Sequence, residues 1–142
     1  MSSTDRLTWG LVLSGAGHLV HSIQEFGIGV LAGWETLFPV AITVTLIGAV
    51  RREITTGVLL IIGAWGPIVL VVGGGSVFPL SALPFEPEQS TSHYLTHAAY
   101  ALLQVPLLAA TAMALAERRR HHGGRNRQLD RPEPPDGRSL SG

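Results

Sequence analysis

Two stretches of the sequence gather side chains able to bind a metal or move a proton. The first holds His18, His21, Gln24 and Glu25; the second holds His93, His97, Tyr100 and Gln104. Spacings of three and seven put His18, His21 and Glu25 on one face of a helix, and Gln24, three beyond His21, can join it. Spacings of four, seven and eleven from His93 trace a second stripe. Imidazole and carboxylate are what a zinc, iron or copper ion takes as ligands. Two histidines facing each other across a bundle can instead be the axial ligands of a b-type haem. Histidines that titrate near neutral pH can also relay protons. The plainer alternative is that these groups only hydrogen-bond between helices, at ~0.6 kcal/mol each. The expected metal ligands are His18, His21, Glu25, His93 and His97, with Gln24, Tyr100 and Gln104 as further polar lining.

The elements that must position these groups are apolar. The chain has 142 residues, 46% hydrophobic and 14% charged, with a mean hydropathy of +0.31. Soluble chains average about 25% charged residues. The deficit is concentrated before residue 117, because seven of the ten arginines follow Ala116. Four apolar stretches stand out, at about 7–26, 33–50, 54–72 and 93–116. Each reaches the ~17–25 residues that cross a hydrocarbon core, and none alternates as a strand would. The expected fold is therefore all-α: an integral membrane four-helix bundle in the cell membrane, occupying residues 1–116, with the lipid bilayer as its first partner. Arg6 followed by Leu7–Val20 has the outline of a signal peptide. Yet His18 and His21 fall where cleavage would occur, and three more spans follow.

Arginine placement sets the orientation. Arg6, Arg51, Arg52, Arg118, Arg119, Arg120 and the later arginines all fall on the side of the N-terminus. The opposite side has no basic residue and carries Glu25, Glu35, Glu86 and Glu88. The positive-inside rule then makes both termini cytoplasmic. Trp9, Trp34 and Tyr94 fit interfacial anchors. The first helix runs outward and the fourth inward, so His18, His21, His93 and His97 all fall in the outer half of the bilayer; His18 is ~12 Å before Phe26 and His97 ~6 Å inside His93. Residues 117–142, rich in Arg, Pro and Gly, are expected to be a disordered cytoplasmic tail. Its arginines read as a stop-transfer cluster or a contact for anionic headgroups, with no support for a nucleic-acid partner. The Pro-rich stretch between Gly73 and Ser92 reads as a loop, with Ser90, Thr91 or Ser92 capping the last helix. Glu53 reads as a first-turn acid of the third helix. Gly57, Gly63 and Gly66 read as points of close helix approach.

The stretch Gly15-Ala16-Gly17-His18-Leu19-Val20-His21-Ser22-Ile23-Gln24-Glu25-Phe26-Gly27, followed by Trp34-Glu35, resembles a late segment of the oxidase-dependent iron permeases. In that family a helix reading roughly His-Glu-Leu-Gln-Glu-Ala-Gly precedes a Trp-Asp pair. The last helix, with Tyr94 and Tyr100 ahead of Pro106, is loosely similar. The resemblance implies iron handling in a membrane, with His21, Gln24 and Glu25 at the matching positions. The family's Arg-Glu-Gly-Leu-Glu signature has no counterpart; the nearest string, Arg52-Glu53-Ile54-Thr55-Thr56, lacks the Gly and the second Glu.

The absence of cysteine excludes disulfides, thiolate metal sites, thioether-linked haem and cysteine nucleophiles. Gly73-Gly74-Gly75 is not a phosphate loop, since no Lys-Ser or Lys-Thr follows. Three functions remain in view: a small multi-pass protein that binds a transition metal or haem, a non-enzymatic scaffold or assembly subunit whose polar residues pack helices, and, least supported, a membrane enzyme using metal-bound water. A homo-oligomer or a membrane-complex partner fits so thin a bundle.

Overall fold

A computed structural model describes residues 1–74 and 90–129, with the backbone alone at 35, 72, 74 and 122–129. The loop residues Pro79, Pro84, Glu86, Pro87 and Glu88, the Glu35 side chain and residues 130–142 lie outside the described residues. Among the described residues the protein is all-helical. The helices are α1 (Ser3–Phe26), α2 (Trp34–Arg52), α3 (Thr56–Val69) and α4 (Thr91–Leu129). A 3₁₀ turn covers Ile28–Ala32, and a π-helical turn covers Leu70–Gly74.

Local chemistry explains the boundaries. The Ser2 hydroxyl accepts from the Asp5 backbone N–H at 3.1 Å while the Asp5 carboxylate accepts from the Ser2 N–H at 3.1 Å. This reciprocal cap starts α1 four residues before the apolar stretch. It also holds the Asp5 carboxyl below its usual range. The helix stops at Gly27, whose φ of 74° suits a residue without a Cβ. Glu53 is not in the first turn of α3: it is extended and closes α2, its N–H donating to the Ala49 carbonyl. Thr55 has the capping role instead, accepting from the Val58 N–H at 3.1 Å. Of the three residues expected to cap α4, Ser90 accepts from the His93 N–H at 3.3 Å. The polar segment after Ala116 is helical as far as Leu129, not irregular. Ala, Glu and Arg are strong helix formers, and the run Ala116–Arg120 extends a helix already nucleated.

The order is up-down-up-down. Arg6 donates to Glu117 at 2.6 Å, and the Ser3 hydroxyl donates to the same carboxylate at 2.7 Å, so the start of α1 meets the C-terminal part of α4. Arg118 donates to the Thr56 hydroxyl at 3.0 Å, which brings the α2–α3 turn to that same end. Arg6, Arg51, Arg52 and Arg118 therefore share one end of the bundle. An apolar core of Leu7, Leu11, Leu46, Val50, Leu59, Ile62, Leu107, Ala110 and Ala114 fills that half. Hydrogen bonds from Ser3 and the charge of Arg6 hold the Glu117 carboxyl below its ordinary value of 4.5. A carboxyl lowered on folding adds stability above its unfolded value, and that increment is lost as the pH falls through the folded value. Glu117→Gln is thus expected to lower the melting temperature in detergent at neutral pH, and the difference from wild type should close once both are acidified below that range.

Among the described residues the α1–α4 seam is the widest interface. Gly10, Ser14 and Gly17 of α1 face Leu107, Gln104 and Leu103 of α4. Gly66 of α3 lies against Leu108 and Gly63 against Thr111, whereas Gly57 meets only Thr55 of its own cap. α4 has a stretch, Thr91–His121, long and apolar enough to cross a membrane; α3 is apolar but shorter.

Candidate functional site

Antiparallel pairing of α1 with α4 brings the two polar stripes together. His21 meets His97, with Nε2 atoms 3.3 Å apart and rings edge to face at 4.5 Å. Glu25 Oε1 lies 2.8 Å from His93 Nδ1 and 3.6 Å from His97 Nε2. Ligand atoms of His21, Glu25 and His97 all fall within 4.8 Å of one another. Two turns deeper, the Ser14 hydroxyl donates to Gln104 Oε1 at 2.5 Å, and Gln104 Nε2 donates to the Tyr100 carbonyl at 3.4 Å.

The ring tautomers follow from the partners. His97 Nδ1 is 2.6 Å from the Gly73 carbonyl, which can only accept, so Nδ1 carries a proton and the tautomer compatible with this contact leaves the lone pair on Nε2. His93 Nδ1 faces a carboxylate and donates likewise, leaving Nε2, a buried atom without a hydrogen-bond partner. A ligating histidine ordinarily donates its other N–H to a backbone carbonyl or a carboxylate, the arrangement at both rings. Tyr100 walls the cluster at 5.0 Å from the His21 ring and donates its O–H to the Val69 carbonyl at 2.9 Å.

The spacing suits an ion better than a haem. Two nitrogens bound to one tetrahedral zinc at ~2.0–2.1 Å stand ~3.3–3.4 Å apart. The His21–His97 separation falls there, and is long for an N–H···N hydrogen bond. Axial haem ligands must face each other across a flat macrocycle, whereas these rings stand edge to face beside Tyr100.

Of the five expected ligands, His21, Glu25 and His97 converge, and His93 joins through Glu25. His18 does not join: Ser22 lies 3.5 Å from its Nε2, and its ring is 6.5 Å from Tyr100. It sits one turn inward of His21, opposite Tyr100 and not opposite an imidazole. Gln24 is a second correction, being exposed. Once His21 and Glu25 face α4, Gln24 is turned away by its 100° step. Tyr100 and Gln104 are buried on the seam. The backbone carbonyls of Val69 and Gly73 were not readable as site groups, since a carbonyl has no residue type; the glycine run at the end of the third apolar stretch was the available signal. The small residues Gly10, Ser14 and Gly17, four and three apart, were a readable sign of close approach.

A separate crevice of about 610 Å³ opens between α2 and α3, lined by Phe38, Ile42, Leu46, Ile61, Trp65 and Ile68 among others. It holds no ionisable group. Compared with protein-family models, curated proteins and solved structures, the chain matches none.

Proposed function

We propose that this chain is a four-span membrane protein that holds a divalent transition-metal ion on His21, Glu25 and His97, in the half of the bilayer away from the cytoplasm. The observation that carries the reading is the paired Nε2 atoms 3.3 Å apart, one with its tautomer fixed by Gly73, and a carboxylate oxygen within 4.8 Å of both. Three protein ligands leave a fourth position for water or a passing group. A donor set of two nitrogens and one oxygen, without sulfur, suits zinc or ferrous iron better than cuprous copper.

Polarity supports the membrane setting. Leu102, Val44, Phe38 and Leu60 are 61–69% exposed, while Gln104, Ser14 and His97 are at most 4% exposed. Water would reverse that distribution; a bilayer favours it. Ser14, Ser22, Thr36 and Thr43, which lower the hydropathy of α1 and α2, are buried within the bundle and hidden from lipid. α3 continues through its π turn, so residues 56–74 follow one another without a break across the layer. The charge on Arg6, Arg51, Arg52 and Arg118 marks the cytoplasmic end.

Two measurements test this. Elemental analysis of the protein purified in detergent, with Co²⁺ titration as a spectroscopic probe, should give one ion per chain, lost in the His21→Ala, His97→Ala double variant. A phosphatase reporter fused at residue 82 should be active, as befits an outside location. A metal-free wild type that takes up no Co²⁺ would end the ion reading. It would favour a scaffold in which contacts such as Ser14–Gln104 and Tyr100–Val69 only pin the helices together. A cytoplasmic reporter would end the threading.

A further inference from the structure

We infer that the π-helical end of α3 sets the affinity of the ion site, with Gly73 and Tyr100 as positioning residues for His97; this rests on the metal reading above. Two carbonyls at this end of α3, those of Val69 and Gly73, accept from the Tyr100 O–H and the His97 Nδ1–H, both from one face of α4. His97 is thereby held at two points. Its backbone belongs to α4, and its ring is tethered to α3, so Nε2 has little freedom to swing away from His21.

Gly73 makes the tether possible. A Cβ at that position would run into the Tyr100 ring, so any larger residue displaces either the ring or the carbonyl. Tyr100 in turn anchors the Val69 carbonyl, one turn before Gly73, and so fixes where the π turn presents the Gly73 carbonyl. π turns of this kind are frequent at functional sites. The arrangement places the ion's nitrogen ligands under the control of a third helix that supplies no ligand itself.

The test uses the full chain in detergent with Co²⁺ alone as the probe. Tyr100→Phe and Gly73→Ala are expected to weaken Co²⁺ binding by about tenfold or more, the scale on which orienting partners of metal ligands act. The visible bands of the bound Co²⁺ should change shape as its geometry relaxes. Ser14→Ala, which removes a buried hydrogen bond two turns away, should lower thermal stability without that loss of affinity. In metal-free protein, ¹⁵N shifts of His97 should report a single Nδ1–H tautomer in wild type and a mixture in Tyr100→Phe. Wild-type affinity together with an unchanged tautomer in Tyr100→Phe would overturn the positioning role. Failure of wild type to bind Co²⁺ would instead overturn the metal reading, and the tautomer measurement would still judge the tether.

Discussion

Replacing His97 with alanine is expected to weaken Co²⁺ binding by roughly 100-fold or more, since losing even an orienting partner of a ligand costs about 10- to 100-fold. His97 has the central place: its Nε2 is within 3.6 Å of both His21 Nε2 and Glu25 Oε1. His21→Ala should follow closely, because it removes the other nitrogen of the pair. Glu25→Gln keeps the shape but removes the charge that offsets a dication, so its loss should be of the same order. His93→Ala should fall lower on the scale, near about tenfold, because it removes the N–H that orients the Glu25 carboxylate and not a converging ligand. His18→Ala should change the affinity by less than about twofold, as expected of a residue outside the group whose ligand atoms converge. The ranking is the test, read by Co²⁺ titration against a chelator of known affinity, with melting curves to confirm that each variant is folded. Equal losses at all five positions, or a loss at His18 as large as at His97, would mean that the variants act through stability and that the three converging groups are not the ligands.

How much of this was legible in the sequence differs by element. Helix content was, because unbroken apolar stretches bounded by Gly, Pro and Arg have few other solutions. The convergence of His21 and Glu25 with His93 and His97 was readable only by joining three inferences: the helical stripe, the antiparallel course and the side marked by arginine. The contact between α1 and α4 was an assumption at that level, and the structure supplies it. His18 and Gln24 went astray for one reason. A stripe read at spacings of three, four and seven is wider than the contact line between two helices, and its edge members drop out. Glu53 was misplaced because an acid beside two arginines reads equally well as the end of one helix or the start of the next. The segment after Glu117 was read from composition as irregular, yet a long helix already running through Ala116 continues through a run of good helix formers more readily than such a segment would start one. The tether from His97 to Gly73 was out of reach, because backbone acceptors have no signature in a sequence.

Gly10→Val is expected to destabilise the bundle more than any other single glycine substitution on the α1–α4 seam. A Cβ at Gly10 would stand 2.7 Å from the Leu107 Cα and 3.1 Å from its backbone nitrogen. Backbone cannot rotate aside as a side chain can, so the two helices must part along the seam. At Gly17 the nearest atoms are 3.1 Å away and belong to the Leu103 side chain, which can adjust. Overpacking a close-packed interior costs about 1–3 kcal/mol, and the backbone contact puts Gly10→Val at or above the upper end. The effect should reach the proposed metal ligands as well. α1 is one continuous helix from Ser3 to Phe26, so prising it from α4 at residue 10 also shifts the register and tilt at His21 and Glu25. The comparison variant is Gly48→Ala, where a Cβ meets nothing within 4 Å. There the substitution should stabilise by roughly 0.5–1 kcal/mol, the gain of replacing glycine by alanine inside a helix. Thermal unfolding in detergent, run on both variants beside wild type, should therefore move in opposite directions. Gly10→Val should also lose Co²⁺ affinity, and Gly48→Ala should keep it. A Gly10→Val protein as stable as wild type would show that α1 and α4 are not packed backbone to backbone, and the proximity of the histidines would lose its structural basis.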